Sequence, residues 1–87
     1  MKIKDGFILK EVAGNYVVIA LEDTLDFNKV VTVNETGSFI WDKILKESTR
    51  EEIISDISKE YGIDENTAAS DFDDFVNSLH TAGILEK

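Results

Sequence analysis

The sequence predicts a single α+β domain, in which a three-stranded antiparallel sheet is followed by three helices. Two observations lead to this prediction. Apolar residues follow β-type patterns before Asn34 and recur at helical spacing after it, and the character of the chain changes only there. A length of 87 residues with 43% hydrophobic residues suits one compact core, so we assign residues 1–87 to one domain.

Three segments in the first part of the chain are predicted strands. Phe7 to Val12 and Tyr16 to Leu21 are rich in branched and aromatic residues. Ala13-Gly14-Asn15 lies between them and predicts a tight hairpin, because Gly-Asn accepts positive φ. Lys29 to Val33 reads as the third strand, and a turn or loose loop over residues 22–28 connects it to the second.

The predicted sheet leaves surface for a partner. Residues 17–21 are apolar in succession, so we expect both sheet faces to be covered, one by the helices and the other by the N-terminal residues or a partner. This apolarity also leaves room for a homodimer. If the strands follow chain order, Lys29 to Val33 forms a sheet edge whose N–H and C=O groups could pair with an added peptide strand.

Each predicted helix carries a start signal. Asn34 or Thr36 caps the first helix, which runs to about Lys46. A capping box, either Ser48 with Glu51 or Thr49 with Glu52, opens the second.

The remaining helix signals complete the element order. Gly62 is placed to end the second helix in a left-handed cap, Asp64 caps the third, and Gly83 ends it, followed by Ile84-Leu85 as a short apolar tail. A winged helix-turn-helix is built from similar parts. The predicted inward faces of the helices comprise Ile40, Trp41, Ile44 and Leu45, then Ile53, Ile54, Ile57 and Tyr61, and finally Ala68, Phe72, Phe75, Val76 and Leu79.

The charge argues against nucleic acid and membrane partners. With 18 acidic and 9 basic residues the chain has a net charge of −9, which repels phosphate backbones and anionic lipid and suits a basic peptide. The third helix has no Lys or Arg, so it is poorly suited to a DNA groove. No segment approaches the roughly 20 apolar residues of a membrane span, and we expect a cytoplasmic protein.

Residue types that carry catalysis or bind metals are sparse. The chain has no cysteine and a single histidine, His80, which leaves no Ser/His/Asp or Cys/His set and argues against thiolate or histidine metal sites. Asp71, Asp73 and Asp74 lie on a helix and are better explained as a solvated face than as a calcium loop. Phe39 is either an exposed aromatic contact or a packed residue. We expect no enzymatic activity, cofactor or metal.

Several motifs resemble the PqqD family. Residues 33–41, Val-Asn-Glu-Thr-Gly-Ser-Phe-Ile-Trp, are similar to that family's strand, its Asn-x-x-Gly turn and its Ile-Trp. Residues 60–64 resemble its link between the second and third helices, and residues 71–79 and 82–85 resemble its third helix and ending. The resemblance covers about residues 7–85. The connection between the second and third strands departs from the short glycine-containing turn common in the family.

The resemblance implies a winged-helix-like precursor-peptide recognition element, a free-standing adaptor that captures a leader peptide for a modifying enzyme such as a radical SAM protein. In such domains the leader pairs with the third strand and lies against the third helix. A rival interpretation is an acidic winged-helix module for protein–protein contacts in a regulatory complex, and a small DNA-binding regulator is a third. The residues implied for leader binding are Lys29, Val30, Val31, Thr32 and Val33 on the strand, and Asp71, Phe72, Phe75, Ser78 and Leu79 on the helix. Asp71 and Ser78 flank the apolar stripe and should be the most available.

Overall fold

The computed structural model describes residues 1–21 and 31–86. Within these residues a three-stranded antiparallel sheet precedes three helices, which confirms the predicted α+β fold, and a further pair of short strands joins the two ends. The elements in chain order are β1 Lys2–Ile3, β2 Phe7–Val12, β3 Asn15–Ala20, β4 Val31–Val33, α1 Glu35–Leu45, α2 Arg50–Tyr61, α3 Glu65–Thr81 and β5 Leu85–Glu86.

The predicted hairpin forms between β2 and β3, with its turn one residue earlier than expected. The residues with positive φ are Ala13 at 52° and Gly14 at 82°, whereas Asn15 is already the first residue of β3 and pairs with Val12. A two-residue loop with positive φ at both positions matches the twist of the flanking strands. Ala13 therefore takes the conformation that we had expected of Asn15.

The sheet has the order β2-β3-β4, so β4 lies beside β3 alone within the described part of the chain. The third predicted strand is thereby confirmed over Val31–Val33. Lys29 and Val30, together with the connection at 22–28, lie outside the described residues.

The structure decides between the alternative helix caps. Asn34, not Thr36, caps α1, and its side chain accepts a hydrogen bond from the Gly37 N–H at 2.7 Å. Thr49 and Glu52 form the capping box of α2. Reciprocal bonds of this kind satisfy backbone N–H groups that a helix start leaves without intrahelical partners.

The expectation of a short apolar tail at Ile84-Leu85 was wrong. Leu85–Glu86 instead forms β5, which pairs antiparallel with β1, and the Lys4 N–H donates to the Ile84 carbonyl at 2.8 Å. Ile84 and Leu85 are both buried in the core. The N-terminal residues therefore pair with the C-terminal strand.

The core lies between one face of the sheet and the three helices. On the opposite sheet face Ile8, Val17 and Ile19 are half-buried, while Val12 and Leu21 are exposed. No helix in the described part of the chain is long and apolar enough to cross a membrane. The buried core residues are Ile3, Val18, Val33, Ile40, Trp41, Ile44, Ile53, Ile54, Ile57, Ala68, Phe72, Leu79, Ile84 and Leu85.

Candidate functional site

The hydrogen-bonding direction of β3 follows from its hairpin with β2. A two-residue turn makes the flanking Val12 and Asn15 a hydrogen-bonded pair, so the backbone groups of Asn15 point toward β2. The Leu21 N–H donates to the Gly6 carbonyl at 2.7 Å, in the same direction. Since this direction alternates along a strand, the odd-numbered residues of β3 bond to β2 and the even-numbered residues bond to β4.

The register of β4 then identifies which of its backbone groups face outward. Val33 is opposite Tyr16 and Val31 is opposite Val18, and both partners are even-numbered residues of β3. Val31 and Val33 therefore direct their N–H and C=O groups toward β3. Thr32 directs its N–H and C=O away from the sheet, to the edge where a further strand would add.

A groove of about 290 Å³ lies beside this edge. The end of β4 and the first turn of α1 form one wall, and α3 forms the other. Its lining residues are Thr32, Val33, Asn34, Thr36, Gly37, Asp71, Asp74, Phe75 and Ser78.

Gly37 sets the close packing at the base of the groove. A Cβ atom at this position would lie 2.6 Å from Val33 Cγ1 and 2.9 Å from the ring of Phe75. Such distances are far inside van der Waals contact, so only glycine lets β4, α1 and α3 approach this closely. The side chain of Asn34 accepts from the Gly37 N–H, and thereby fixes the turn that brings the glycine into place.

The structure brings five of the sequence candidates to the groove: Thr32, Val33, Asp71, Phe75 and Ser78. Asp71 and Phe75 are half-buried and Ser78 is exposed, which fits their position at the border of the apolar stripe.

Three further candidates, Phe72, Leu79 and Val31, do not line the groove. Phe72 and Leu79 are 2% and 0% exposed, so they pack α3 against the core and do not line the groove. Val31 is half-buried and packs against the core. Lys29 and Val30 are outside the described residues.

Four lining residues were not singled out from the sequence as binding residues: Asn34, Thr36, Gly37 and Asp74. Asn34 and Gly37 belong to the Asn-x-x-Gly turn, which was a usable signal. Asp74 lies three residues after Asp71, and this spacing places two side chains side by side on a helix.

The acidic residues of α3 serve different purposes. Asp64 caps the helix by accepting from the Thr67 N–H at 2.7 Å, and this hydrogen bond lowers the pKa of the Asp64 carboxyl. Asp73 forms an ion pair with Arg50 of α2 at 3.0 Å. Asp71 and Asp74 line the groove, and the lining residues that belong to the described part of the chain include no Lys or Arg. This described lining therefore carries a net negative charge.

Phe39 is a packed residue, the second of the two alternatives. It is half-buried, and its ring makes an edge-to-face contact with Tyr61 at a centroid distance of 5.7 Å. The Lys43 ammonium lies 5.2 Å from the centre of the Phe39 ring and 3.3 Å from the Asp56 carboxylate. Burial, with the nearby charges of Glu35 and Glu60, raises the pKa of Tyr61.

A second groove, of about 620 Å³, lies at the opposite edge of the sheet between β2 and α1. The side chain of Asp42 at its border pairs with Lys46 at 3.0 Å. This groove is larger than the one beside β4, and among its described lining residues the one charged side chain, Asp42, is paired. Its lining residues are Phe7, Ile8, Leu9, Ser38, Trp41, Asp42 and Leu45.

Two comparisons find similar proteins. The family model described as coenzyme PQQ synthesis protein D (PqqD) matches residues 15–85. A solved structure titled "TbiB1 in Complex with the TbiA(beta) Leader Peptide" is similar over 99% of this chain and 95% of that chain, with 28% sequence identity and a TM-score of 0.79. No curated protein matches the chain.

Proposed function

This chain belongs to the PqqD family, and from that premise we propose that it is a non-catalytic adaptor, which binds the leader segment of a ribosomally made precursor peptide and presents it to a modifying enzyme. Ribosomal precursors are made in the cytoplasm, so we place the adaptor there. By holding the precursor, it would raise the effective concentration of the peptide at the enzyme.

The observation that carries this proposal is the combination of the β4 edge, which no other strand within residues 1–21 and 31–86 covers, with a groove beside it. Thr32 offers an N–H and a C=O at the edge of β4, and Phe75 and Asp71 lie across the groove on α3. Backbone pairing gives affinity for an extended peptide, and contacts between the groove and every second peptide side chain give specificity. The similar solved structure contains a leader peptide, and this supports the same class of ligand here.

A binding role also fits the chemistry of the groove. Its hydroxyl groups come from Thr32, Thr36 and Ser78, and no histidine lies beside them to act as a base. The single histidine of the sequence, His80, is exposed and does not line the groove. The modifying enzyme would therefore supply the chemistry and the adaptor the recognition.

The test is a titration of ¹⁵N-labelled protein with the leader half of a precursor peptide encoded beside its gene, followed by NMR. Strand addition predicts that amide shifts cluster at Val31–Val33, at the first turn of α1 and along α3. A scrambled leader of the same composition is the control for nonspecific charge effects.

Two outcomes contradict the proposal. Shifts confined to the β2 and α1 groove would move the binding site to the other sheet edge. No shift with the neighbouring leader, and none with a second leader from an unrelated precursor, would argue against leader binding altogether.

A further inference from the structure

Resting on the proposed function, we propose that the groove selects leader peptides by a lysine or arginine side chain, which lies over Phe75 and is held by the carboxylates of Asp71 and Asp74. The inference concerns the chemistry of the bound residue. Its basis is the direction of the added strand, the unbalanced charge of the groove and the apolar surface between its walls.

Strand addition at β4 fixes which peptide side chains enter the groove. When the peptide adds antiparallel to β4, the residue that bonds to Thr32 has its side chain on the same sheet face as Thr32, which is the face away from the helices. Its two neighbours therefore point to the face of Val31 and Val33, which is the face toward α3. Side chains two residues apart in the leader meet the groove together.

The charge of the groove wall is uncompensated among the described residues. Asp71 and Asp74 are neighbours at i and i+3, and like charges in this arrangement destabilise a helix slightly. Neither forms an ion pair within residues 1–21 and 31–86, whereas Asp73 on the same helix is paired with Arg50. A cation from the ligand would relieve the repulsion between the two groove carboxylates.

A basic side chain also fits the remaining surface. Phe75 is half-buried between these carboxylates and Ser78, so it offers a ring against which an aliphatic stem can pack. The charged end would then reach Asp71 and Asp74, and a guanidinium would add attraction to the ring face.

The experiment is a selection from a displayed library of random peptides of about ten residues, roughly 33 Å as a strand and long enough to cross the groove. Wild-type protein, Asp71→Asn, Asp74→Asn and Asp73→Asn are used as separate baits. The last variant is the matched control, because it removes the same charge from the same helix outside the groove. Circular dichroism confirms that each bait is folded.

We expect the wild type and Asp73→Asn to enrich Lys or Arg at one fixed position, and the other two variants to lose this preference. The selected peptide should bind Asp71→Asn and Asp74→Asn up to about fivefold more weakly than wild type, as for solvent-exposed ion pairs. Replacing the basic residue of this peptide with glutamine should weaken its binding to wild type by a similar factor. The same replacement should hardly change the affinity of the peptide for Asp71→Asn. High salt should reduce the difference between the two peptides.

The possible failures are distinct. Enrichment of peptides without a fixed basic residue, or an equal loss in Asp73→Asn, overturns this inference and leaves leader binding intact. If no sequence is enriched on any bait and leader peptides also fail in the NMR titration, the proposed function itself fails.

Discussion

Replacing Thr32 with proline removes the outward N–H of β4 without changing any charge. In an added-strand complex this N–H donates to a peptide carbonyl, and proline leaves that acceptor unpaired in a partly enclosed site. An unsatisfied acceptor costs about 1–3 kcal/mol, which corresponds to a leader affinity about 5- to 150-fold weaker. The assay is fluorescence anisotropy with a labelled leader peptide, with denaturant unfolding of the free variant to measure its stability.

The matched control is Glu11→Pro on the opposite edge of the sheet. Glu11 is opposite Tyr16, whose backbone groups bond to β4, so the Glu11 N–H also points away from the sheet. Proline is tolerated where an edge N–H faces solvent, and both variants should therefore fold. Unchanged leader affinity in folded Thr32→Pro would refute strand addition at β4. Weaker leader binding in Glu11→Pro alone would show that the leader adds to the edge of β2. A proline at Val31 would not test strand addition, because the Val31 N–H faces β3 and not the outer edge.

Three further variants test the packing and the helix cap. Gly37→Ala should lower the free energy of unfolding, measured by denaturant titration. A Cβ atom 2.9 Å from the Phe75 ring costs about 1–3 kcal/mol, which outweighs the gain of up to about 1 kcal/mol in helix propensity. Equal or greater stability would show that the base of the groove can relax. Leu79→Ala should lower the free energy of unfolding by about 2–5 kcal/mol and leave the leader affinity of the folded protein unchanged. Weaker leader binding without a loss of stability would show that Leu79 contacts the leader. The Asp64 carboxyl has a pKa below its ordinary value of 3.8, so its contribution to stability is complete above that pH and is lost as the pH falls through the folded-state value. Asp64→Asn should retain a cap at neutral pH and lose less stability in acid, and parallel acid profiles of the two proteins would contradict this account.

Local signals in the sequence were sufficient for most of the fold. The capping residues Thr49 and Asp64 and the terminating Gly62 have backbone requirements that few residue types meet, so the helix boundaries could be predicted to within a residue or two. The β1–β5 pair was missed because two-residue strands such as Lys2–Ile3 are too short to show any alternation. Their pairing depends on the tertiary fold, which brings both ends together.

The groove could be predicted less completely than the elements that form it. The strand edge followed from chain order, and Asp71 and Ser78 were expected at the border of the apolar stripe of α3. Phe72 and Leu79 were included because they lie on that stripe, but helical periodicity does not distinguish core from groove when both adjoin one face. The outward direction of Thr32 depends on the hairpin turn, and the sequence placed that turn one residue late.

The pairing of β1 with β5 also determines when the domain can be completed during synthesis. Lys2–Ile3 is synthesised about 80 residues before its partner Leu85–Glu86. A contact of such long range closes late, because the chain must lose loop entropy before the contact can repay it. Ile84 and Leu85 therefore enter the core only after the ribosome has released the end of this segment. A nascent chain that ends within α3 contains β4 and its edge, but it lacks β5 and the buried side chains of Ile84 and Leu85. We therefore expect leader binding only after the whole domain has been translated.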